Sequence, residues 1–299
     1  MRFYGNIVAL VTPFFQSGLI DISNLCRLVD FHIYMGTNVI LSPSTTGEYS
    51  TLSNEEKILI VRTVVNQVKK RIPVIACAGS DNVNNCINLT LKFIEYGVDA
   101  VLISTPSYLK PTQLGLYEYY KYISDNVKNF PIILYNIPNR TSCSLHIKTI
   151  EKLIKIPNII GIKETVINCK KRFKRLVYLC KNENICLYSG NDLVSANWIL
   201  DGASGVISIA SNIVPNTISK MCCFALNLNI KKSLKIHNKL MSLYKLLLIE
   251  SNPIPVKWVL SKMGLIKNKL RLPMTVLSNK SVKIMEKKIY KFISVNSYY

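Results

Sequence analysis

Eight short apolar runs alternate with longer amphipathic stretches, and this alternation limits the possible folds of the chain more than any other feature. The runs lie at Ile7–Val11, Val39–Leu41, Val74–Ala76, Ala100–Ile103, Ile132–Tyr135, Ile159–Lys163, Ile185–Tyr188 and Gly205–Ile209. Strands that are apolar on both faces are typical of parallel sheets covered by helices. Eight such strands, each followed by a helix, predict an α/β protein with a (β/α)8 TIM barrel. An open doubly wound sheet is the alternative, but no GxGxxG segment follows the first run.

The strand pattern ends before Leu226, and the remainder of the chain has only helical spacing. Helices are predicted within Ile230–Glu250, Val256–Met263 and Val282–Ile293. We therefore expect two parts, a catalytic barrel over residues 1–225 and an all-helical C-terminal extension over residues 226–299. No linker rich in glycine or serine separates them, so the extension is expected to pack firmly on the barrel.

The formal net charge of +21 raises the question of a nucleic-acid partner. The lysines are spread along the whole chain, and basic and aromatic residues do not alternate as in RNA-binding modules. Lysine, asparagine, isoleucine and tyrosine are abundant together, which indicates a general bias of composition. We expect no nucleic-acid partner. A basic RNA-binding protein built on a degenerate barrel is the alternative, and RNA binding that survives physiological salt would support it.

The sequence also bears on the compartment of the protein. No apolar run reaches about 18 residues, so no membrane-spanning helix and no membrane partner are expected. The first residues lack the apolar segment and cleavage site of a signal peptide. The nine cysteines form no CxxC pair, and their number is odd. Free thiols in a reducing cytoplasm are the expected state.

Lys163 stands at the end of the sixth apolar run, where a barrel places its catalytic side chains. An amine held there, partly out of water, can lose its proton near neutral pH and attack a ketone. A lysine at a strand end is more often a solvated charge, but polar residues follow several other runs as well. At those ends stand Thr45, Thr46, Gly47, Glu48, Tyr108, Tyr135, Arg140 and Gly190, while Ile207 lies in the eighth run. Because the carboxyl ends of parallel strands meet at one face of a barrel, we expect these residues to lie together.

Metal-dependent chemistry is not expected. The three histidines, His32, His146 and His237, do not follow apolar runs, and the chain contains neither HExxH nor CxxC. We predict no metal and no cofactor.

Six segments resemble a known enzyme family and keep its spacing over nearly the whole chain. They are Thr45-Thr46-Gly47-Glu48, Tyr135-Asn136-Ile137-Pro138-Asn139-Arg140-Thr141, Gly161-Ile162-Lys163-Glu164, Gly205-Val206-Ile207-Ser208, Asn252-Pro253-Ile254-Pro255-Val256-Lys257 and Leu270-Arg271-Leu272-Pro273-Met274-Thr275. They resemble the pyruvate-dependent class I aldolases, the family that includes N-acetylneuraminate lyase and the dihydrodipicolinate synthases. The match is strongest to the synthases.

The resemblance implies a role for each strand-end residue. Lys163 would form a Schiff base with pyruvate, and Tyr135 would relay protons as general acid and base. Thr45 would link Tyr135 to Tyr108 of a neighbouring subunit. The amides of Thr45 and Thr46 would hold the pyruvate carboxylate, while Gly190 and the carbonyl of Ile207 would line the pocket.

Arg140 separates two branches of the family. The synthases use such an arginine to bind the carboxylate of aspartate semialdehyde, whereas sialate lyases generally have an apolar residue there. A guanidinium fork suits a planar carboxylate. The resemblance thus implies a lyase that makes 4-hydroxy-tetrahydrodipicolinate for lysine and diaminopimelate biosynthesis, and a homotetramer built as a dimer of dimers. A sialate or sugar-acid aldolase is the alternative.

Three departures from the family pattern concern inhibition by lysine. Lys57, Asn85 and Ser107 stand where lysine-inhibited members have a histidine, an acid and a tyrosine. A cationic Lys57 would repel the ammonium groups of lysine, and Asn85 supplies no compensating charge. Weak or absent inhibition is expected. Ser44, where glycine is usual before the two threonines, is a further departure, and no effect is predicted from it.

Overall fold

Eight parallel strands close into a barrel in the computed structural model, which describes residues 2–293. The strands are β1 (Gly5–Ala9), β2 (Val39–Leu41), β3 (Val74–Cys77), β4 (Ala100–Ser104), β5 (Ile132–Asn136), β6 (Ile159–Glu164), β7 (Cys186–Ser189) and β8 (Gly205–Ser208). Each strand pairs with the next along the chain, and β1 pairs with β8 to complete the ring. The predicted TIM barrel is therefore confirmed.

Helices follow the strands in regular alternation and continue beyond the barrel. They are α1 (Ile22–Tyr34), α2 (Asn54–Val68), α3 (Val83–Tyr96), α4 (Gln113–Asn126), α5 (Pro138–Thr141), α6 (Ile147–Leu153), α7 (Lys170–Asn182), α8 (Ser195–Leu200), α9 (Pro215–Leu226), α10 (Ile230–Leu246), α11 (Ile254–Lys262) and α12 (Asn279–Ile293). No helix within residues 2–293 is both long enough and apolar enough to cross a membrane.

Two separate apolar clusters explain why the strands lack a polar face. Alternate strand residues such as Ile7, Leu41 and Ile133 form one cluster inside the barrel. Their neighbours, such as Val8 and Ile40, belong to the cluster that also contains the helices. Because both faces of every strand are buried, the runs have no polar alternation.

The first strand lies two residues earlier than the sequence predicts. It begins at Gly5 and ends at Ala9, because Gly5 pairs with Gly205 at a point where a side chain on Gly205 would collide with the Gly5 backbone. Val11 lies beyond the barrel strand, and its amide donates to Asn212 Oδ1 at 3.2 Å. Apolarity marks the whole segment as buried but does not show which part pairs.

The C-terminal helices are joined to the barrel by buried charges. Lys257 in α11 donates to Glu48 Oε1 at 2.5 Å and to the Thr12 carbonyl at 2.9 Å. Lys257 and Glu48 are almost fully buried. The second carboxylate oxygen of Glu48 accepts the amide of Arg271, whose guanidinium pairs with Glu56 of α2. The predicted boundary at residue 225 remains a proposal, and residues 294–299 lie outside the described part of the chain.

We predict that Lys257→Met lowers the free energy of unfolding by about 3–5 kcal/mol, because it leaves the Glu48 carboxylate buried without its counter-charge. The matched control is Lys262→Met in the same helix, where the ion pair with Glu286 is exposed, and this change should cost no more than about 1 kcal/mol. Urea unfolding of the two variants checks the difference, and equal losses would contradict the role of the buried pair.

Candidate active site

Lys163 and Tyr135 lie side by side at the carboxyl ends of β6 and β5. The two residues are paired in register across the sheet. Lys163 Nζ lies 4.1 Å from the centre of the Tyr135 ring, and each side chain is 5% exposed. The structure thus brings together the two residues for which the sequence predicts the central chemical roles.

The environment of the Lys163 amine favours loss of its proton. Burial lowers the pKa of Lys163 to about 8, and the positive charge of Arg140 acts in the same direction. Cys77 and Asp192 oppose this shift. An amine of pKa about 8 is neutral in about one molecule in ten at pH 7, against fewer than one in a thousand for an ordinary lysine. The side chain is therefore suited to nucleophilic attack.

Tyr135 responds to the same burial in the opposite direction. Burial raises the pKa of Tyr135, while a hydrogen bond with the Thr45 side chain and the charge of Arg140 partly oppose the rise. The phenol therefore stays protonated at neutral pH and can act as a proton donor. Thr45 and Tyr135 are thus brought together as predicted.

The segment after β2 forms a short 3-10 turn over Thr45–Gly47. The amides of Thr45 and Thr46 stand at its beginning, where backbone N–H groups have no acceptor within the turn. Thr46 is almost completely buried, and its hydroxyl accepts a hydrogen bond from Asn252 Nδ2 at 3.1 Å. The turn can therefore present backbone donors to an anion.

Position 47 requires glycine because there is little room for a side chain. The backbone of Gly47 is not in the left-handed region. A Cβ at this position would lie 3.0 Å from the Leu10 carbonyl oxygen and 3.0 Å from Thr12 Oγ1. The left-handed conformation that a tight turn requires falls instead on Glu48, at φ 58°. The buried bonds of the Glu48 carboxylate to Lys257 and Arg271 compensate for this conformation.

Arg140 lies in α5, directly after β5, and its side chain is exposed. Its Nη2 donates to the carbonyl of Asn252 at 3.0 Å, which leaves further N–H groups of the guanidinium for a ligand. Arg140, Thr45 and Tyr135 line a cavity of about 480 Å³. Lys163 does not line this cavity itself but packs against the ring of Tyr135, which does.

Gly190 and Ile207 lie at the ends of the neighbouring strands. A Cβ on Gly190 would lie 3.0 Å from Lys163 Cε and 2.6 Å from Thr165 Cγ2, so only glycine leaves room beside the lysine. Ile207 is 2% exposed and belongs to the apolar cluster inside the barrel.

The structure does not bring Tyr108 to the site within one chain. Tyr108 is 91% exposed and adopts φ 65°. Its neighbour Ser107 lines the cavity and hydrogen-bonds Asp81 through both its amide and its hydroxyl. A role of Tyr108 in the site of a neighbouring subunit stays a prediction.

Two carboxylates that sequence reasoning left without a role position the strand ends. Glu164 follows Lys163 and accepts bonds from Arg172 at 2.7 Å and Asn136 at 2.9 Å, which holds the ends of β5 and β6 together. Asp192 accepts the amides of Ile209 and Ala210, each at 3.1 Å, and so fixes the chain after β8. Burial raises the pKa of Asp192. The signal for both was their position at the carboxyl ends of strands: Glu164 is the last residue of β6, and Asp192 lies three residues after the end of β7.

Cys77 is a residue of the cavity that the sequence does not reveal, because the third apolar run, Val74–Ala76, ends one residue before it. It is the last residue of β3, is 6% exposed and lines the cavity. Burial raises the pKa of its thiol, and the charges of Lys163 and Lys57 oppose the rise. Within residues 2–293, no group of three or more His, Cys, Asp or Glu side chains is arranged to hold a metal ion.

Comparisons with known proteins agree with this geometry. The model of the dihydrodipicolinate synthetase family matches residues 2–291. A 4-hydroxy-tetrahydrodipicolinate synthase of Legionella pneumophila (strain Philadelphia 1) is 48% identical over 95% of this chain and 97% of its own length. A protein of the same name from Buchnera aphidicola subsp. Schizaphis graminum is 43% identical over 95% of this chain and 96% of its own length.

Solved structures show the same likeness. The chloride-inhibited dihydrodipicolinate synthase of Acinetobacter baumannii, complexed with pyruvate, is 40% identical and has a TM-score of 0.93 over 98% of this chain and 100% of its own. The lysine-bound enzyme of Cyanidioschyzon merolae is 30% identical, with a TM-score of 0.93 over 99% of this chain and 100% of its own. The family predicted from six sequence segments is thereby confirmed: this chain belongs to the dihydrodipicolinate synthetase family.

Proposed function

We propose that this chain condenses pyruvate with L-aspartate 4-semialdehyde to give 4-hydroxy-tetrahydrodipicolinate, a step of lysine and diaminopimelate biosynthesis. The observation that carries the proposal is the buried Lys163 amine, with a pKa of about 8, in contact with the Tyr135 ring. The names of the close relatives support the choice of reaction.

In the proposed reaction, neutral Lys163 attacks the keto carbon of pyruvate, and loss of water gives an iminium ion. The iminium withdraws electrons, so the methyl group loses a proton to form an enamine. The enamine carbon attacks the aldehyde carbon, and the aldehyde oxygen takes up a proton. The amine of the second substrate then attacks the iminium carbon, which closes the ring and releases Lys163.

The surrounding residues bind substrates and move protons. Tyr135 gives and takes the protons through its hydroxyl, whose pKa the neighbouring Thr45 side chain lowers. The amides of Thr45 and Thr46 bind the pyruvate carboxylate. Gly190 leaves room for the substrate beside Lys163, and the carbonyl of Ile207 lines the pocket.

Arg140 binds the carboxylate of aspartate semialdehyde in this proposal. Its guanidinium lines the cavity next to Tyr135 and is already held at one nitrogen by the Asn252 carbonyl. A planar donor group suits a carboxylate, and a sialate or sugar-acid aldolase would not need it. Arg140 therefore favours the synthase reaction over the lyase alternative.

A homotetramer in the cytoplasm, built as a dimer of dimers, completes the proposal. Tyr108 is 91% exposed, so its ring is open to contact with a neighbouring subunit. In an oligomer, its hydroxyl would extend the proton path from Tyr135 and Thr45 in the neighbouring subunit.

Pyruvate followed by borohydride is expected to leave a reduced pyruvate adduct on Lys163. Since only the neutral amine attacks and its pKa is about 8, the initial rate of imine formation should rise about tenfold from pH 6 to pH 7. The rate should level off above pH 8. Tyr135 stays protonated over this range because its pKa is raised, so it should not reverse the trend.

Rapid quenching into borohydride at one fixed pH, followed by mass spectrometry of peptides, gives this rate. Lys163→Ala is the control and should show no adduct. An adduct that persists in the variant, or a rate that keeps rising tenfold per pH unit to pH 10, would contradict the assignment.

Arg140→Ala should raise the Michaelis constant for aspartate semialdehyde at least tenfold, because the charge-assisted bonds to its carboxylate are lost. Steady-state kinetics with each substrate varied in turn will measure this, and the constant for pyruvate should change much less. Arg175→Ala is the matched control, an exposed arginine of α7 that pairs with Glu151. Equal constants for the two variants would remove Arg140 from the proposal.

Free L-lysine is expected to inhibit the reaction weakly or not at all. Lys57 lines the cavity, with its Nζ 4.2 Å from the centre of the Tyr49 ring. Asn85 hydrogen-bonds Asn54 at 2.8 Å and brings no negative charge. A lysine titration of the condensation rate tests this, and half-inhibition at sub-millimolar lysine would overturn the expectation.

A further inference from the structure

Asn252, which lies between α10 and α11, contacts groups from both sides of the proposed site. Its side-chain Nδ2 donates to Thr46 Oγ1 at 3.1 Å, and its backbone carbonyl accepts from Arg140 Nη2 at 3.0 Å. Thr46 belongs to the turn assigned to pyruvate, and Arg140 is assigned to the aldehyde. One residue of the C-terminal extension therefore connects both substrate-binding groups.

The direction of the first hydrogen bond matters for the chemistry of Thr46. A hydroxyl has one proton and can accept as well as donate. Since the Asn252 amide donates, the Thr46 oxygen accepts, and its own proton remains free. Among residues 2–293, the Thr46 hydroxyl donates to no acceptor. A buried hydroxyl with a free proton, next to backbone amides, adds a third donor for an anion.

The second hydrogen bond restrains an exposed side chain. Arginine loses much rotational freedom when a ligand fixes it, and this loss weakens binding. The Asn252 carbonyl already holds one guanidinium nitrogen of Arg140, so part of this ordering takes place before the aldehyde arrives. This bond uses the backbone and therefore does not depend on the side chain of residue 252.

The segment that contains Asn252 is held against the Thr45–Glu48 turn by contacts at both of its ends. Five residues later, Lys257 forms the buried pair with Glu48, which lies two residues after Thr46. The segment from Asn252 to Lys257 thus contacts the Thr45–Glu48 turn at both of its ends. Asn252 Oδ1 is buried and has no hydrogen-bond partner among residues 2–293. An unpaired buried oxygen costs stability, so stability alone does not explain an asparagine at this position.

We infer that Asn252 is a positioning residue that couples the two substrate sites, its side chain keeping the Thr46 hydroxyl as a donor to the pyruvate carboxylate and its carbonyl holding Arg140. This inference rests on the proposed function. It assigns to the C-terminal extension a part in substrate binding as well as in stability.

Two substitutions test the inference through the pyruvate concentration that gives half-maximal borohydride trapping. Asn252→Ala removes the donor and should raise this concentration about tenfold, because the Thr46 hydroxyl is no longer oriented. Asn252→Asp keeps the shape but accepts the Thr46 proton and adds a negative charge near the carboxylate site. It should raise the concentration at least tenfold further.

In the same variants, Arg140 keeps its backbone partner. The Michaelis constant for the aldehyde in Asn252→Ala should therefore rise less than the half-saturating pyruvate concentration. Asn126→Ala is the matched control and should leave both quantities unchanged. Asn126 is exposed, and within residues 2–293 its side chain bonds only the Tyr122 carbonyl.

The outcomes separate this inference from the proposed function. If the wild-type chain itself shows no trapping, the proposed function fails. If wild type is trapped but Asn252→Asp needs no more pyruvate than Asn252→Ala, the inference is wrong. A fall in the urea midpoint with unchanged half-saturating pyruvate indicates a purely structural residue and also overturns it. Should Asn252→Ala not fold, the isosteric Asn252→Asp decides alone, by comparison with wild type.

Discussion

The buried ion pair between Glu48 and Lys257 is the interaction on which the arrangement of the site depends. It joins the turn after β2 to the C-terminal helices, and the same carboxylate also accepts the Arg271 amide. Displacing either partner would leave a charge in the interior without compensation, which costs several kcal/mol. The position of Asn252, and through it the contacts to Thr46 and Arg140, follows from this restraint.

Burial at the carboxyl end of the barrel sets the chemistry of Lys163 and Tyr135 in opposite directions. Loss of water disfavours the charged form of each group, so the lysine pKa falls to about 8 while the tyrosine pKa rises. At neutral pH, the same environment thus holds a partly deprotonated amine next to a phenol that stays protonated. Adjacent parallel strands in register supply this pairing.

Much of the fold was predictable from the eight apolar runs. Strands that are buried on both faces have no alternation of polar and apolar residues, and the runs show this pattern. The exact pairing was less predictable, as β1 shows, since contact between Gly5 and Gly205 depends on two strands far apart in the chain. The reason for glycine at position 47 was not predictable either. Its neighbours Leu10 and Thr12 come from another strand end, and no local pattern reveals how closely they approach.

The barrel, the family and the position of Lys163 at a strand end can be read from the sequence, because these depend on apolar spacing and on residue types at strand ends. The groups that surround Lys163 could be identified only from the three-dimensional packing. The contacts of Asn252 with Thr46 and Arg140, and of Lys257 with Glu48, join residues separated by more than 100 positions. Such contacts follow from the packing of the C-terminal helices on the barrel. The helical spacing of apolar residues indicates which face of a helix is buried, but not which polar groups that face contacts.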